Sequence, residues 1–291
     1  MLTSKLYKER VKFFNKIVAN FNNERISDLV VACKISRIKF LKLQRHAKDY
    51  FYKSKEYSLI NMTPNGRLAP KVENEKAFNN FISSYFKLIK SLKISNNLKN
   101  YIPPVIRYKE EKINKKNKTN TKRSELPHAD CWAGWTEDYL LFLMPLWGDV
   151  KNNKVRFFEV PKNISNNWLK KKDFITANRQ LKTKLMPLKD HYKLGYLYIA
   201  DITVPHITIR NHKSKSRLSV DSPLQFKSKK IKKQNIEVTQ YISSKENFIS
   251  IKKAEKLKNG YHLACPYKMG EFEKTTGKNS KPAFKLVSSN N

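Results

Sequence analysis

Residues 196–220 read YLYIADITVPHITIRNHKSKSRLSV, three short runs rich in β-branched and aromatic residues, parted by turn-forming ones. The runs Tyr196–Thr203, His206–Arg210 and Arg217–Val220 are too short for stable helices, and Pro205 and the polar segment 211–216 fall between them. Runs of the same kind lie upstream at Val105–Tyr108, Tyr139–Leu146 and Val155–Val160, after Pro103-Pro104 has closed the preceding pattern. Short strands at this spacing predict a jelly roll or a related barrel.

Before residue 101 the period lengthens. In Leu6–Ile17 the apolar positions fall near helical spacing, and Leu29–Tyr57 is periodic and contains no Gly or Pro. After the Pro64, Asn65-Gly66 and Pro70 breaks, Phe78–Leu92 reads as an amphipathic helix whose Phe78, Phe81 and Tyr85 stripe belongs in a core. The chain is therefore expected to be α+β. A mainly helical region over 1–100 packs on a double-stranded β-helix (jelly-roll) core over 101–226, and a basic extension follows over 227–291. The lysine-rich Lys109–Arg123 is expected to form a polar loop or lid, and Tyr261–Tyr267 to be the part of the tail that docks on the core.

The formal charge is +36, yet only eleven of the 60 basic residues are Arg. A/T-rich codons produce such a Lys and Asn excess without selection for a polyanion. The surface is thus expected to be solvated, to steer small anions inward, and to touch nucleic acid only non-specifically. With 40% apolar and 12% aromatic residues the chain buries a sizeable core. There is no run of 18 apolar residues, so neither a transmembrane helix nor a membrane partner is expected. The start, MLTSKLYKERVKFF, is charged throughout, unlike a signal peptide. Cys33, Cys131 and Cys265 show no CxxC or zinc-type spacing, which points to a reducing cytoplasm. The seven glycines form neither G-x-G-x-x-G nor G-x-x-x-x-G-K-[ST], so a dinucleotide fold and a P-loop NTPase are excluded.

Six histidines remain to be placed. His128 stands in Leu126-Pro127-His128-Ala129-Asp130, and on an extended strand residues i and i+2 share a face, so an imidazole and a carboxylate are offered to one metal. His206 follows Asp130 by 76 residues, and Arg217 follows His206 by eleven, with Ser219 on the same strand face. A planar guanidinium fork suits a carboxylate. Arg210 shares the face of His206 by alternation and competes with Arg217. His191 and His212 fall in loops, and His46 and His262 lack carboxylates at ligand spacing, so all four are read as structural or solvated. Trp132 and Trp135 are either walls of a pocket or core, and Arg107 is either a substrate contact or a surface residue.

The order His-x-Asp, long gap, His, short gap, Arg-x-Ser resembles the Fe(II)/2-oxoglutarate-dependent dioxygenase superfamily. The resemblance implies Fe(II) on His128, Asp130 and His206, with three positions left for 2-oxoglutarate and O2. It also implies cosubstrate contacts from Arg217 and Ser219, and its eleven-residue offset favours Arg217 over Arg210. More narrowly, His128-x-Asp130-x-Trp132-x-Gly134, running on to Pro145-Leu146, is similar to the phytanoyl-type branch found in bacterial carbohydrate and aminoglycoside gene clusters. That implies hydroxylation of a small polar substrate, such as a sugar, with release of succinate and CO2. Related halogenases carry a small residue where Asp130 stands. The nucleic-acid demethylase branch carries a second Arg six residues after the first, where this chain has Pro223. A nucleic-acid-binding protein and a cupin-like isomerase are the other readings of the residues. The likeness spans about residues 100–225.

Overall fold

A computed structural model describes residues 3–19, 23–56, 66–68, 70–101, 104–111, 125–170, 172–173, 175–177, 185–226, 249–250, 256–257, 260–265, 268 and 285–288. Its helices are α1 (Thr3–Val18), α2 (Arg37–Glu56) and α3 (Glu75–Ser91). The larger sheet begins with the hairpin of β1 (Asn23–Ser27) and β2 (Val30–Lys34). The remaining strands are β3 (Leu98–Tyr101), β4 (Val105–Lys109), β5 (Tyr139–Gly148), β6 (Asn153–Phe157), β7 (Tyr196–Asp201), β8 (His206–Arg210) and β9 (Arg217–Phe226). They are followed by β10 (Ile249–Ser250), β11 (Tyr261–Ala264) and β12 (Lys285–Ser288).

The larger sheet runs β1-β2-β7-β5-β9-β3-β10, with β4 also on β9, and its pairings are antiparallel. Long β9 makes this arrangement work: its first half pairs with β4 and its second half with β3. The smaller sheet is β6 with β8, widened by single bridges His128↔His206 on one side and Phe158↔Pro187 on the other. A hairpin of β11 and β12 is tied to α3 by Asn79, which donates to the Leu263 carbonyl at 3.0 Å and accepts from its N–H at 2.8 Å.

Period-two alternation along β9 sorts its side chains. Leu218, Val220 and Leu224 face the helices and are buried, with the ring of Phe51 of α2 packed at a tilt, 4.7 Å between centroids, against Tyr108, the partner of Leu218. Arg217, Ser219 and Asp221 face the other way, towards the smaller sheet, where the Arg217 guanidinium donates to the Asn153 carbonyl of β6 at 3.1 Å. Polar groups thus gather between the sheets while the apolar core lies under the helices.

Three sequence expectations need correction. Leu29–Tyr57 is not one helix: Val30–Lys34 is a strand, because Val30, Val31, Ala32 and Cys33 pair with β7 and are buried on both faces. A run apolar on every side has no helical face to reveal. The first hundred residues accordingly supply β1, β2 and most of β3 as well as helices. Lys109 does not begin a solvated loop. It closes β4 opposite Arg217 and is 2% exposed, while residues 112–123 of the expected loop lie outside the described residues.

Candidate metal centre

The site is assembled by backbone hydrogen bonds between two segments distant in sequence. His128 and His206 exchange both N–H···O bonds, at 3.0 and 2.8 Å, and Cys131 donates to the Ile202 carbonyl at 3.1 Å. The two imidazoles are thereby set side by side, with ring centroids 4.4 Å apart. Asp130 enters the same space differently from the expected strand. Ala129 is extended (φ −108°, ψ 142°), but Asp130 opens a short 3-10 turn over Asp130–Ala133. One extended residue suffices to bring the carboxylate to the imidazoles. The turn closes on Gly134 at φ 97°, a left-handed conformation that disfavours a Cβ.

Ligand-capable atoms of His128, Asp130 and His206 all lie within 4.8 Å of one another. Each imidazole is fixed by its Nδ1, which donates to a carbonyl: Leu126 for His128 at 2.8 Å, and Val204 for His206 at 3.2 Å. This tautomer leaves Nε2 with its lone pair for a metal. Burial, with His206 alongside, pulls the His128 imidazole down to about 4, and burial pulls His206 to about 4 as well. Burial also pushes Asp130 up to about 6. The pocket therefore favours two neutral imidazoles and resists an uncompensated carboxylate, a donor set that a divalent cation completes.

Beside the triad lies a cationic group on β4, β8 and β9. Arg217 is 1% exposed, its Nε and the Ser219 hydroxyl are buried without a hydrogen-bond partner among the described residues, and its guanidinium lies 5.2 Å from the Tyr192 ring. Burial lowers its pKa. Lys109, opposite Arg217, is brought down to about 7 by burial and by the charges of Arg107, Arg217 and Arg210. Such orphaned donors around a buried cation match a small carboxylate. Arg210 also has a buried Nε without a partner among those residues, but its guanidinium already holds a carboxylate, Glu125, and donates to the Glu110 carbonyl. Arg107 is ion-paired with Asp221 at 2.7 Å, and its charge reaches all three triad residues. Gly148, opposite Arg217 on β5, has φ 92°, and a Cβ there would stand 2.2 Å from the Ser216 carbonyl oxygen.

Trp132 is 1% exposed and packs edge-on against Trp168 at 5.2 Å, so it acts as core. Its indole N–H donates to the Trp168 carbonyl, and that of Trp168 to the Thr203 carbonyl, each at 3.0 Å, which ties the Asp130 turn to the turn before His206. Trp135 is half-buried against Tyr139 at 5.0 Å. His46, His191 and His262 sit outside the triad, on Ser84, Glu24 and Glu75. Sequence reasoning missed Arg10 and Asp201. Asp201 accepts from Arg10 at 2.6 Å and from both Thr203 N–H (2.9 Å) and its hydroxyl (2.7 Å), fixing the turn that delivers His206. Its place next to Ile202 at a strand end was the only available signal.

No protein-family model and no curated protein matches the sequence. Among solved structures, the chain is similar to the epimerase SnoN in complex with Fe3+, alpha ketoglutarate and nogalamycin RO, with 10% identity and TM-score 0.48 over 77% of this chain and 88% of that one. It is also similar to the alpha ketoglutarate dependent carbocyclase SnoK from nogalamycin biosynthesis (12%, TM-score 0.46, 75% and 84%). A third is EctD from S. alaskensis with 2-oxoglutarate and 5-hydroxyectoine (11%, TM-score 0.42, 68% and 72%). At these identities no residue role passes from those proteins to this one, and the site stands on its own geometry.

Proposed function

We propose that the protein is an Fe(II)- and 2-oxoglutarate-dependent oxygenase that hydroxylates a small polar metabolite such as a sugar, its two sheets forming the layers of a jelly-roll core. The observation that carries this is the meeting of His128, Asp130 and His206 ligand atoms within 4.8 Å, in a fold that also buries Arg217 with its Nε unpartnered among the described residues. His128, Asp130 and His206 would hold the metal, and Arg217 and Ser219 the distal carboxylate of 2-oxoglutarate. When bound, the metal supplies the activation of O2 that couples decarboxylation of 2-oxoglutarate, giving succinate and CO2, to substrate oxidation. The chain itself contributes orientation and exclusion of water. The Leu126 and Val204 carbonyls fix the imidazole tautomers, Arg10, Asp201 and Trp168 hold the two turns, and the partly open Arg107, paired with Asp221, would contact the substrate.

Anaerobic titration tests the reading directly. His128→Ala, Asp130→Ala and His206→Ala should each reduce Fe(II) affinity sharply with little change in secondary structure, because the segments are joined by backbone bonds. Wild-type iron affinity in all three variants would remove the proposal. A succinate-release screen over sugars, nucleotide sugars and amino acids then identifies the substrate class.

A further inference from the structure

We propose that the outward face of α2 docks the protein on an anionic lipid surface. The helix is two-sided. Phe40, Leu43, Ala47, Tyr50 and Phe51 are buried, and Gln44 donates to the Leu146 carbonyl at 2.5 Å, which seats that side on the sheet. On the opposite side Ile38 is 82% exposed, and Leu41 and Tyr52 are each 46% exposed. At 100° per residue these three share one side with Lys42, Arg45 and Asp49, the last ion-paired with Lys53; Ile38 and Leu41 are neighbours, and Tyr52 lies about 16 Å further along the axis. Arg37 and Lys39 flank that side, and none of Arg37, Lys39, Lys42 and Arg45 makes an ion pair among the described residues.

The lysine content of the whole chain accounts for cations on any surface. It does not account for two large aliphatic side chains, Ile38 and Leu41, adjacent on one solvent-facing side of the helix, with Tyr52 on the same side further along. Isolated exposed apolar residues need no explanation, but a contiguous set does. Aliphatic tips among cations, with a tyrosine, are the composition of a helix that lies in a headgroup layer: the cations meet lipid phosphates, the aliphatics enter the acyl boundary, and the ring sits between. A nucleic-acid backbone would use the cations and leave Ile38 in water. A second copy would bring like charges together if this face paired with itself. Such peripheral docking needs no spanning segment, and it departs from the sequence expectation of no membrane partner, which rested on spanning segments alone; among the described residues no helix is long and apolar enough to cross a membrane. The inference does not depend on the metal site.

The test is flotation of the full chain with vesicles of phosphatidylcholine, alone or with about 30% phosphatidylglycerol, near physiological salt. The wild type should float only with the anionic vesicles. Ile38→Ser combined with Leu41→Ser should weaken that binding about tenfold without altering charge. Lys42→Ser with Arg45→Ser should weaken it more than the equal charge loss of Lys162→Ser with Lys189→Ser, two exposed lysines elsewhere. All six positions are exposed, so the variants should keep the wild-type far-ultraviolet spectrum. Undiminished binding by the Ile38/Leu41 variant, or equal loss in the two charge variants, overturns the proposal. So does binding of duplex DNA, but not of vesicles, through Lys42 and Arg45.

Discussion

At the scale of single residues, what separates Arg217 from Arg210 is what each guanidinium already holds. Both have a buried Nε without a hydrogen-bond partner among the described residues, but Arg210 is already ion-paired with Glu125 whereas Arg217 makes no ion pair among those residues. Arg217→Ala should therefore weaken 2-oxoglutarate binding to the iron-loaded protein by about 1.5–3 kcal/mol, and Arg210→Ala by less. Anaerobic titration measures both, and the reverse order would transfer the anchor to Arg210. Lys109 gives a second residue-level expectation. Its ordinary pKa is 10.5 and in the fold it is about 7. Between these values the unfolded chain holds the extra proton, so stability rises with pH across that window and the full cost of the charge is present below it. Lys109→Met should then stabilise the protein more near pH 6 than near pH 10. Urea unfolding at the two pH values measures the difference, and an equal change at both would mean that the Lys109 charge is not penalised.

Elements carry a different kind of information. The short runs behind β4 to β9 and the spacing of His128, Asp130, His206, Arg217 and Ser219 were legible because alternation and offset are local properties of the chain. The β1–β2 hairpin was not, since Val30, Val31, Ala32 and Cys33 are buried on both faces and show no alternation, and the second partner of their strand, β7, is more than 160 residues away. Asp130 was read as part of a strand, and the turn that carries it depends on Trp132 finding Trp168. Arg10 was illegible for the same reason: nothing in α1 marks one cation among many as the partner of Asp201. That pair is buried, with side chains 5% and 0% exposed. Removing one partner leaves the other charge without compensation, so Arg10→Ala or Asp201→Ala should cost about 3–5 kcal/mol. The turn before His206 should loosen with it. Denaturant unfolding reads the first effect and iron affinity the second; a wild-type midpoint in both variants would leave the pair without a structural role.

For the whole molecule, the +36 charge comes from 60 Lys and Arg against 24 Asp and Glu, whereas the candidate ligands His128 and His206 are bridged at the edge of the smaller sheet. Duplex DNA should bind weakly, without sequence preference, and with an affinity that falls steeply as salt rises, because counterion release drives it. Turnover of the true substrate should be far less sensitive to salt, since screening is weaker inside the protein. Affinity for DNA and RNA, followed in parallel with 2-oxoglutarate consumption, checks both. Tight, sequence-selective binding coupled to turnover would make nucleic acid the substrate.

Gly148 has a consequence for descent. It stands opposite Arg217 in a left-handed conformation, and a Cβ on it would lie 2.2 Å from the Ser216 carbonyl oxygen. Any side chain at Gly148 must push the start of β9, and with it the guanidinium, out of place. The two positions are therefore heritable only as a pair: lineages that keep an arginine at 217 should keep glycine at 148, and lineages that moved the anchor elsewhere should show that glycine free to drift.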